Sequence, residues 1–80
     1  MVQRGGPVPP SRQLAALLRT QILSGEMRPG DALPSILVLS QTYELAQATV
    51  KKALAILKDE RLIETTPGYG TFVRDRSQDS

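Results

Sequence analysis

The most restrictive feature of this sequence is the order in which apolar repeats and turn residues follow one another. Two stretches carry apolar residues at the three- and four-residue spacing of one helical face, and these residues are Leu14, Leu18, Ile22, Val50, Leu54 and Leu57. The spacing predicts a first helix over about 11–24 and a third over about 47–60. Each of these helices has one apolar stripe and one polar side.

Small polar residues mark the starts of the first and second predicted helices. The hydroxyls of Ser11 and Ser35 can accept a hydrogen bond from an unpaired backbone N–H in the first turn, so we expect both residues to be N-caps. The second helix runs from Ser35 to about residue 42, and a short bend at 43–45 separates it from the third. Gly25 is placed to end the first helix in a left-handed conformation.

The last third of the chain predicts a β-hairpin. Two strands, at 62–66 and 71–74, flank the turn segment 67–70, whose two glycines can adopt turn conformations. Residues 32–33 form at most a very short strand before Pro34. The predicted fold is mainly α with a small β-hairpin, a winged helix-turn-helix of three helices plus a wing.

Only one domain fits within 80 residues. We expect the winged helix to occupy residues 10–74. Residues 1–9, rich in Gly and Pro, are predicted to be a flexible N-terminal arm, and the polar residues 75–80 a disordered tail.

Composition excludes most enzyme chemistry. The chain has no Cys and no His, so it lacks thiolate metal sites, thiol nucleophiles and the most common general base. Carboxylates such as Glu60 and Glu64 have no catalytic or metal-binding spacing around them. We therefore predict no enzyme activity, no metal and no cofactor. With no apolar run long enough to cross a bilayer and no secretory signal, we expect no membrane partner and a cytoplasmic location.

The start of the third helix carries side chains suited to reading DNA. The short second helix, the bend and this helix have helix-turn-helix dimensions, and the second helix of such a unit enters the major groove. Gln47 can pair with adenine, and Thr49 can meet a thymine methyl or a phosphate. Lys51 can reach a phosphate or a guanine edge, and Lys52 a phosphate. The alternative is that these residues form the ordinary solvated face of an amphipathic helix.

The hairpin tip weighs against that alternative. It is small and uncharged, with threonines at 65 and 66 followed by Pro67, Gly68, Tyr69 and Gly70. Glycine allows close backbone approach, and Thr hydroxyls and backbone N–H groups donate to phosphate. Such a tip can lie along a minor groove or a phosphate strand.

Several separated motifs resemble the N-terminal domain of GntR-family bacterial transcriptional regulators: ILSG at 22–25, RPGD at 28–31, LPS at 33–35, ATVKKAL at 48–54 and GYGTFV at 68–73. The resemblance covers about residues 10–74. It implies a winged helix-turn-helix that binds operator DNA, usually as a two-fold dimer on a short palindrome. It also implies a further domain for effector binding, and we expect no effector site within these 80 residues.

The candidate DNA-binding residues combine the resemblance with the chemistry of the side chains, and they are Ser35, Leu37, Gln47, Ala48, Thr49, Lys51, Lys52, Thr66, Pro67, Gly68, Tyr69 and Gly70. Family members usually have Arg where this chain has Leu37, Gln47 and Lys51. Because Arg donates in a bidentate fork to phosphate and guanine, its loss predicts weaker binding and less guanine-directed specificity.

Two other departures carry expectations about structure. Leu37 and Val38 belong to a run of four apolar residues that cannot all face one core, so we expect Leu39 and Tyr43 inside and Leu37 and Val38 partly exposed. That exposed pair is either tolerated surface or a contact with thymine methyls or a protein. Arg61 replaces the family's usual helix-ending glycine, which predicts a helix end that is either strained or differently shaped.

The leading functional prediction is a sequence-specific DNA-binding transcriptional regulator, most simply a repressor. The third helix would read the operator major groove, and wing residues 65–71 would contact the minor groove or the backbone. The partner is double-stranded DNA, a palindromic operator bound by a homodimer. The alternative is a winged-helix protein-interaction module with reduced or lost DNA binding. The exposed pair Leu37 and Val38 and the missing arginines favour it, whereas Lys51, Lys52 and the Gly-rich wing oppose it.

Overall fold

The structure, a computed structural model, describes residues 8–74 of the chain. These residues form three helices and one hairpin. The helices are α1 (Pro10–Leu23), α2 (Ile36–Tyr43) and α3 (Gln47–Asp59), and the strands are β1 (Ile63–Thr66) and β2 (Gly70–Val73). This order confirms the predicted winged helix-turn-helix. Residues 1–7 of the predicted arm and the predicted tail at 75–80 lie outside the described residues.

One of the two N-cap predictions is confirmed and the other is wrong. The Ser35 hydroxyl accepts from the Val38 backbone N–H at 3.1 Å, as expected for an N-cap. Helix α1 begins at Pro10 instead, with Pro9 at the N-cap and no capping side chain. Proline suits this start because its fixed φ is helical and its missing N–H would have been unpaired there in any case. Ser11 therefore lies inside the first turn.

The core forms where the apolar faces of α1 and α3 meet the base of the hairpin. Its largest fully buried side chains are Leu14, Leu18, Val50, Leu57 and Ile63. They come from α1, α3 and β1, and α2 adds Leu39, which is also buried. Burying each such side chain contributes roughly 1.5–3 kcal/mol, so these few residues supply much of the stability of so small a domain.

Hydrogen bonds from the α1–α2 loop fix the position of the hairpin. The antiparallel strands pair from Ile63–Val73 at the base to Thr66–Gly70 at the tip. The Leu33 N–H donates to the Thr71 carbonyl at 2.8 Å, and Ala32 forms an isolated bridge to Phe72. The short strand predicted at 32–33 is therefore one bridge, and it attaches the wing to the helical core.

Within residues 8–74, two non-glycine residues have left-handed backbone, Glu44 at φ 55° and Arg61 at φ 60°. The positive φ at Arg61 agrees with the first of the two expectations for the end of α3, a strained backbone. There the Arg61 N–H donates to the Lys58 carbonyl at 2.9 Å, and the Leu62 N–H donates to the Leu57 carbonyl at 3.1 Å. These two bonds have the pattern found where a helix ends at a glycine. Because Arg61 has a Cβ, its left-handed conformation costs about 1 kcal/mol.

Replacing Arg61 with glycine should raise the melting temperature. Arg61→Gly removes the Cβ that opposes a positive φ, and a gain of about 1 kcal/mol corresponds to roughly 4–8 °C in a domain of this size. Arg61→Ala is the matched control, because it removes the guanidinium but keeps the Cβ. Calorimetry should rank Gly above Ala, and a Gly variant that melts at or below the Ala variant contradicts the strain.

A bidentate ion pair joins Arg19 in α1 to Glu60, the residue that follows α3. Arg19 Nε donates to Glu60 Oε1 at 2.7 Å, and Arg19 Nη2 donates to Oε2 at 2.6 Å. The hydrogen bonds from Arg19 lower the pKa of Glu60, and those to Glu60 raise the pKa of Arg19. Both side chains are about one-third exposed, so solvent screening limits the pair to at most about 1 kcal/mol.

The stability from this pair should disappear in acid. Because the pKa of Glu60 is lower in the folded protein, its contribution is present above the ordinary glutamate pKa and is lost as pH falls through the lowered one. Glu60→Gln should reduce the free energy of unfolding by up to about 1 kcal/mol at pH 7. In urea unfolding curves measured at successively lower pH, the difference in unfolding free energy between the variant and the wild type should fall to zero. Glu26→Gln, which removes an exposed carboxylate outside this pair, is the control, and equal effects of the two variants would contradict the prediction.

Candidate nucleic-acid interface

The bend between α2 and α3 is held by both backbone and side-chain bonds. Glu44 takes the left-handed conformation that ends α2. The Leu45 N–H donates to the Ser40 carbonyl at 3.0 Å, and the Ser40 hydroxyl donates back to the Leu45 carbonyl. Leu39 and Leu45 are buried on either side of the bend. The start of α3 is therefore held at a defined angle to α2, as a helix-turn-helix requires.

The predicted contact residues of α3 occupy its first two turns. Gln47, Ala48, Lys51 and Lys52 are exposed, and Thr49 is half-buried. Thr49 lines a shallow hollow with Pro10 and 44–46, on the side of α3 that faces the start of α1. Lys51 points to the other side, toward the wing. These side chains thus spread around the tip of α3 instead of forming a single row.

The first N–H groups of α3 have no side-chain acceptor. Ala46 occupies the N-cap position, and its methyl group cannot accept a hydrogen bond. An uncapped helix start of this kind is electrostatically suited to an anion such as phosphate. Neither Lys51 nor Lys52 forms an ion pair with any residue in 8–74, so both charges are available to a ligand.

The wing tip is built by two left-handed glycines around one exposed aromatic ring. Gly68 has φ 82° and Gly70 has φ 113°, conformations that side chains rarely tolerate. The Tyr69 N–H donates to the Thr66 carbonyl at 3.0 Å and closes the turn. Tyr69 is 80% exposed. A phenol without protein packing presents both an apolar face and a hydrogen-bonding end to a partner.

The two aliphatic residues near the start of α2 are exposed, as expected. Leu37 is 53% exposed and Val38 47%, whereas Leu39 is buried and Tyr43 packs partly against the core. Ser35, which caps α2, is exposed beside them. The position where the family resemblance implies an anchoring Arg is thus an open apolar surface.

A groove between α3 and the wing connects the predicted contact regions. It has a volume of about 300 Å³ and is lined by Ile36, Lys51, Leu54, Ala55, Lys58, Thr65 and Thr71. We call it the α3–wing groove. It brings Lys51 together with the start of α2 and with both strands of the hairpin. Lys58 was not among the candidates, and Thr71 was included only as the end of the wing segment 65–71. In the sequence, the only sign that Lys58 lies on the same side of α3 as Lys51 is their seven-residue spacing. Placing Thr71 in the groove requires the register of the hairpin.

Residues 8–74 contain neither a metal-binding cluster of side chains nor a membrane-spanning helix. Among residues 8–74, no group of three or more acidic, His or Cys side chains is arranged to hold a metal ion. No helix in the same range is long and apolar enough to cross a membrane.

Comparison with known proteins identifies the class of this domain. The family described as "Bacterial regulatory proteins, gntR family" matches residues 10–73. The mannosyl-D-glycerate transport/metabolism system repressor MngR of Escherichia coli (strain K12) is 39% identical over 70 residues, which are 88% of this chain and 29% of MngR. The HTH-type transcriptional repressor NagR of Bacillus subtilis (strain 168) is 35% identical over 72 residues, 90% of this chain and 30% of NagR.

A solved structure agrees with this assignment. YtrA from Sulfolobus acidocaldarius, a GntR-family transcription factor, superimposes with a TM-score of 0.87 at 31% identity, covering 94% of this chain and 79% of YtrA. The fold and its exposed helix start define a winged helix-turn-helix DNA-binding domain. The chain belongs to the GntR family of bacterial regulatory proteins, which are DNA-binding transcription regulators and not enzymes. It spans about 30% of the length of the two curated relatives.

Restoring an arginine at the start of α3 should change both affinity and base preference. Gln47→Arg places a bidentate donor where the amide of Gln47 can pair with adenine, so we expect tighter binding and a shift toward guanine at one operator position. Gln47→Lys is the control, because it adds the same charge without the planar fork and should tighten binding with less guanine preference. Sequence selection from random duplexes measures both. An arginine variant with wild-type affinity and preference would contradict this role of Gln47.

Proposed function

We propose that this chain is the operator-reading part of a transcriptional repressor. The first two turns of α3 read the major groove, and the wing at 65–71 contacts the minor groove or the backbone. The observation that carries the proposal is the α3–wing groove, because it joins Lys51 of the reading helix to the start of α2 and to the wing. The groove therefore adjoins the other two predicted contact regions, because Ile36 lies between Ser35 and Leu37, and Thr65 and Thr71 flank the wing tip.

The residues we assign to DNA follow from their exposure and chemistry. Gln47 and Thr49 suit base edges, Lys51 suits a phosphate or a guanine edge, and Lys52 suits a phosphate. Ser35, Leu37 and Ala48 flank them. At the wing, Thr66, Pro67, Gly68, Tyr69 and Gly70 form the uncharged tip. The repressor assignment is supported by the names of MngR and NagR.

The chain would act as a homodimer on a palindromic operator in the cytoplasm. Few cations contact DNA in one copy, so a single half-site would be held weakly. Two copies related by a two-fold axis would place their α3 helices about one helical turn of DNA apart.

Sequence selection from a random duplex library tests the proposal directly. We expect enrichment of a palindrome whose half-sites are roughly 10 base pairs apart, with two chains per duplex by mass photometry. Affinity for the selected duplex should fall linearly in log–log plots against salt, because each neutralised phosphate contributes a slope of about −0.9. Absence of both enrichment and salt-dependent retention would favour the protein-interaction module.

That second candidate is favoured by one observation, the exposure of Leu37 and Val38. Leu37→Ala tests whether the exposed side chain of Leu37 contacts DNA. If Leu37 packs on a thymine methyl, the variant should lose preference for thymine at one position while the salt slope stays unchanged. Val38→Ala is the control for a neighbouring exposed aliphatic residue. A Leu37→Ala variant with the wild-type operator and affinity would place Leu37 outside the DNA interface.

A further inference from the structure

We infer that the α3–wing groove seats one sugar–phosphate strand of the duplex, and that Lys58 is a phosphate-binding residue in it. The inference rests on the proposed function and deepens it. It adds a side chain more than two helical turns beyond the start of α3, outside the set that the sequence assigned to DNA. It also gives the groove a specific occupant, the strand that separates the major groove from the minor groove.

The placement of the strand follows from the two contacts already proposed. If α3 enters the major groove and the wing meets the adjacent minor groove, the phosphate strand between those grooves must pass between α3 and the wing. The α3–wing groove is the depression between these two elements, and its walls come from α3 and from both hairpin strands.

The chemistry of the groove suits a phosphodiester and its sugars. Its floor is apolar, formed by Ile36, Leu54 and Ala55, and this surface suits deoxyribose. The remaining lining residues are two lysines and two threonines, with no carboxylate among them. The polar residues of the groove supply only positive charge and hydroxyl groups. The groove therefore favours an anionic sugar–phosphate backbone.

The two lysines share one side of α3. Lys51 and Lys58 are seven residues apart, which is about two helical turns and about 10 Å along the axis. Lys58 forms no ion pair with any residue in 8–74, and it is exposed. It lies in the last turn of α3, where a positive charge also interacts favourably with the helix dipole. If Lys58 acted only on the helix dipole, its substitution would leave DNA binding unchanged. Binding measurements can therefore separate this role from phosphate binding.

The threonines supply a neutral donor on the opposite wall. Thr65 and Thr71 are directly paired across the hairpin, and their hydroxyl oxygens are 3.4 Å apart. Each hydroxyl has one proton. When one hydroxyl donates to the other, the second keeps its proton free for a phosphate oxygen. The wall formed by the hairpin thus complements the lysines of α3.

Lys58→Gln tests the inference by the salt dependence of binding. The probes are the duplex selected from the random library and a mixed-sequence duplex of equal length, measured by fluorescence anisotropy. We expect the slope to become shallower by about 0.9 for each lost phosphate contact, with weaker binding to both duplexes and an unchanged base preference. Lys58→Arg should retain the wild-type slope, because the charge is kept. Circular dichroism of both variants is the check that they are folded.

Arg28→Gln is the charge-matched control. Arg28 is exposed in the loop that bonds to the base of the hairpin, where the Gly30 N–H donates to the Val73 carbonyl at 2.8 Å. It therefore lies away from the wing tip and the start of α3. A Lys58→Gln slope equal to that of Arg28→Gln, with wild type still binding, overturns the inference and leaves the proposed function intact. A wild-type chain that binds neither duplex overturns both.

Neutral phosphate linkages locate the contact. Single methylphosphonate substitutions are placed in turn along the selected duplex, at the strand between the two contacted grooves. One substitution should weaken the wild type several-fold and leave Lys58→Gln unaffected, because the variant has already lost the partner of that phosphate. If every substitution weakens both proteins equally, Lys58 contacts no phosphate and the inference is wrong.

Discussion

The packing of α1 on α3 is the constraint on which the remaining structure depends. Leu14 and Leu18 from α1 and Val50 and Leu57 from α3 are almost completely buried. In a domain of this size so few large side chains dominate the favourable free energy of folding. Because they occupy one side of α3, the opposite side and the helix start remain available to a partner. The core thus determines which residues of α3 face outward.

The wing depends on the same core through backbone bonds. An isolated two-stranded hairpin is marginally stable in water. Here Ile63 and Val73 at its base are buried, and Leu33 and Gly30 bond to β2 from the α1–α2 loop. The tip carries no such support and consists of glycines and an exposed tyrosine. A firmly held base and an open tip give the wing a fixed direction while leaving its end free for contact.

Apolar spacing was enough to predict α1 and α3, because it reports which face of a helix is buried. The second helix was predicted from the N-cap at Ser35 and the bend that follows it, and the hairpin from its turn residues. The start of α1 was wrong, since Ser11 matched the N-cap preference but Pro9 and Pro10 take the first positions. The left-handed Glu44 was not predicted, because no glycine marks that bend. Candidate residues could be assigned to elements from sequence. Whether Lys51 and Thr71 share a groove depends on hairpin register and helix angle, which tertiary packing decides.

The same dependence on packing changes the meaning of the low net charge. A total of +2 counts charges without their positions. In the folded domain Arg19 is engaged by Glu60 on the α1 side of α3, where it stabilises helix packing. Lys51 and Lys58 line the groove on the other side, without a carboxylate among its lining residues. A phosphate responds to the potential where it binds, and that potential is set by these nearby groups more than by the total. With Leu37 and Gln47 where the family usually has arginines, the cations of α3 are Lys51, Lys52 and Lys58, and two of these three line the α3–wing groove.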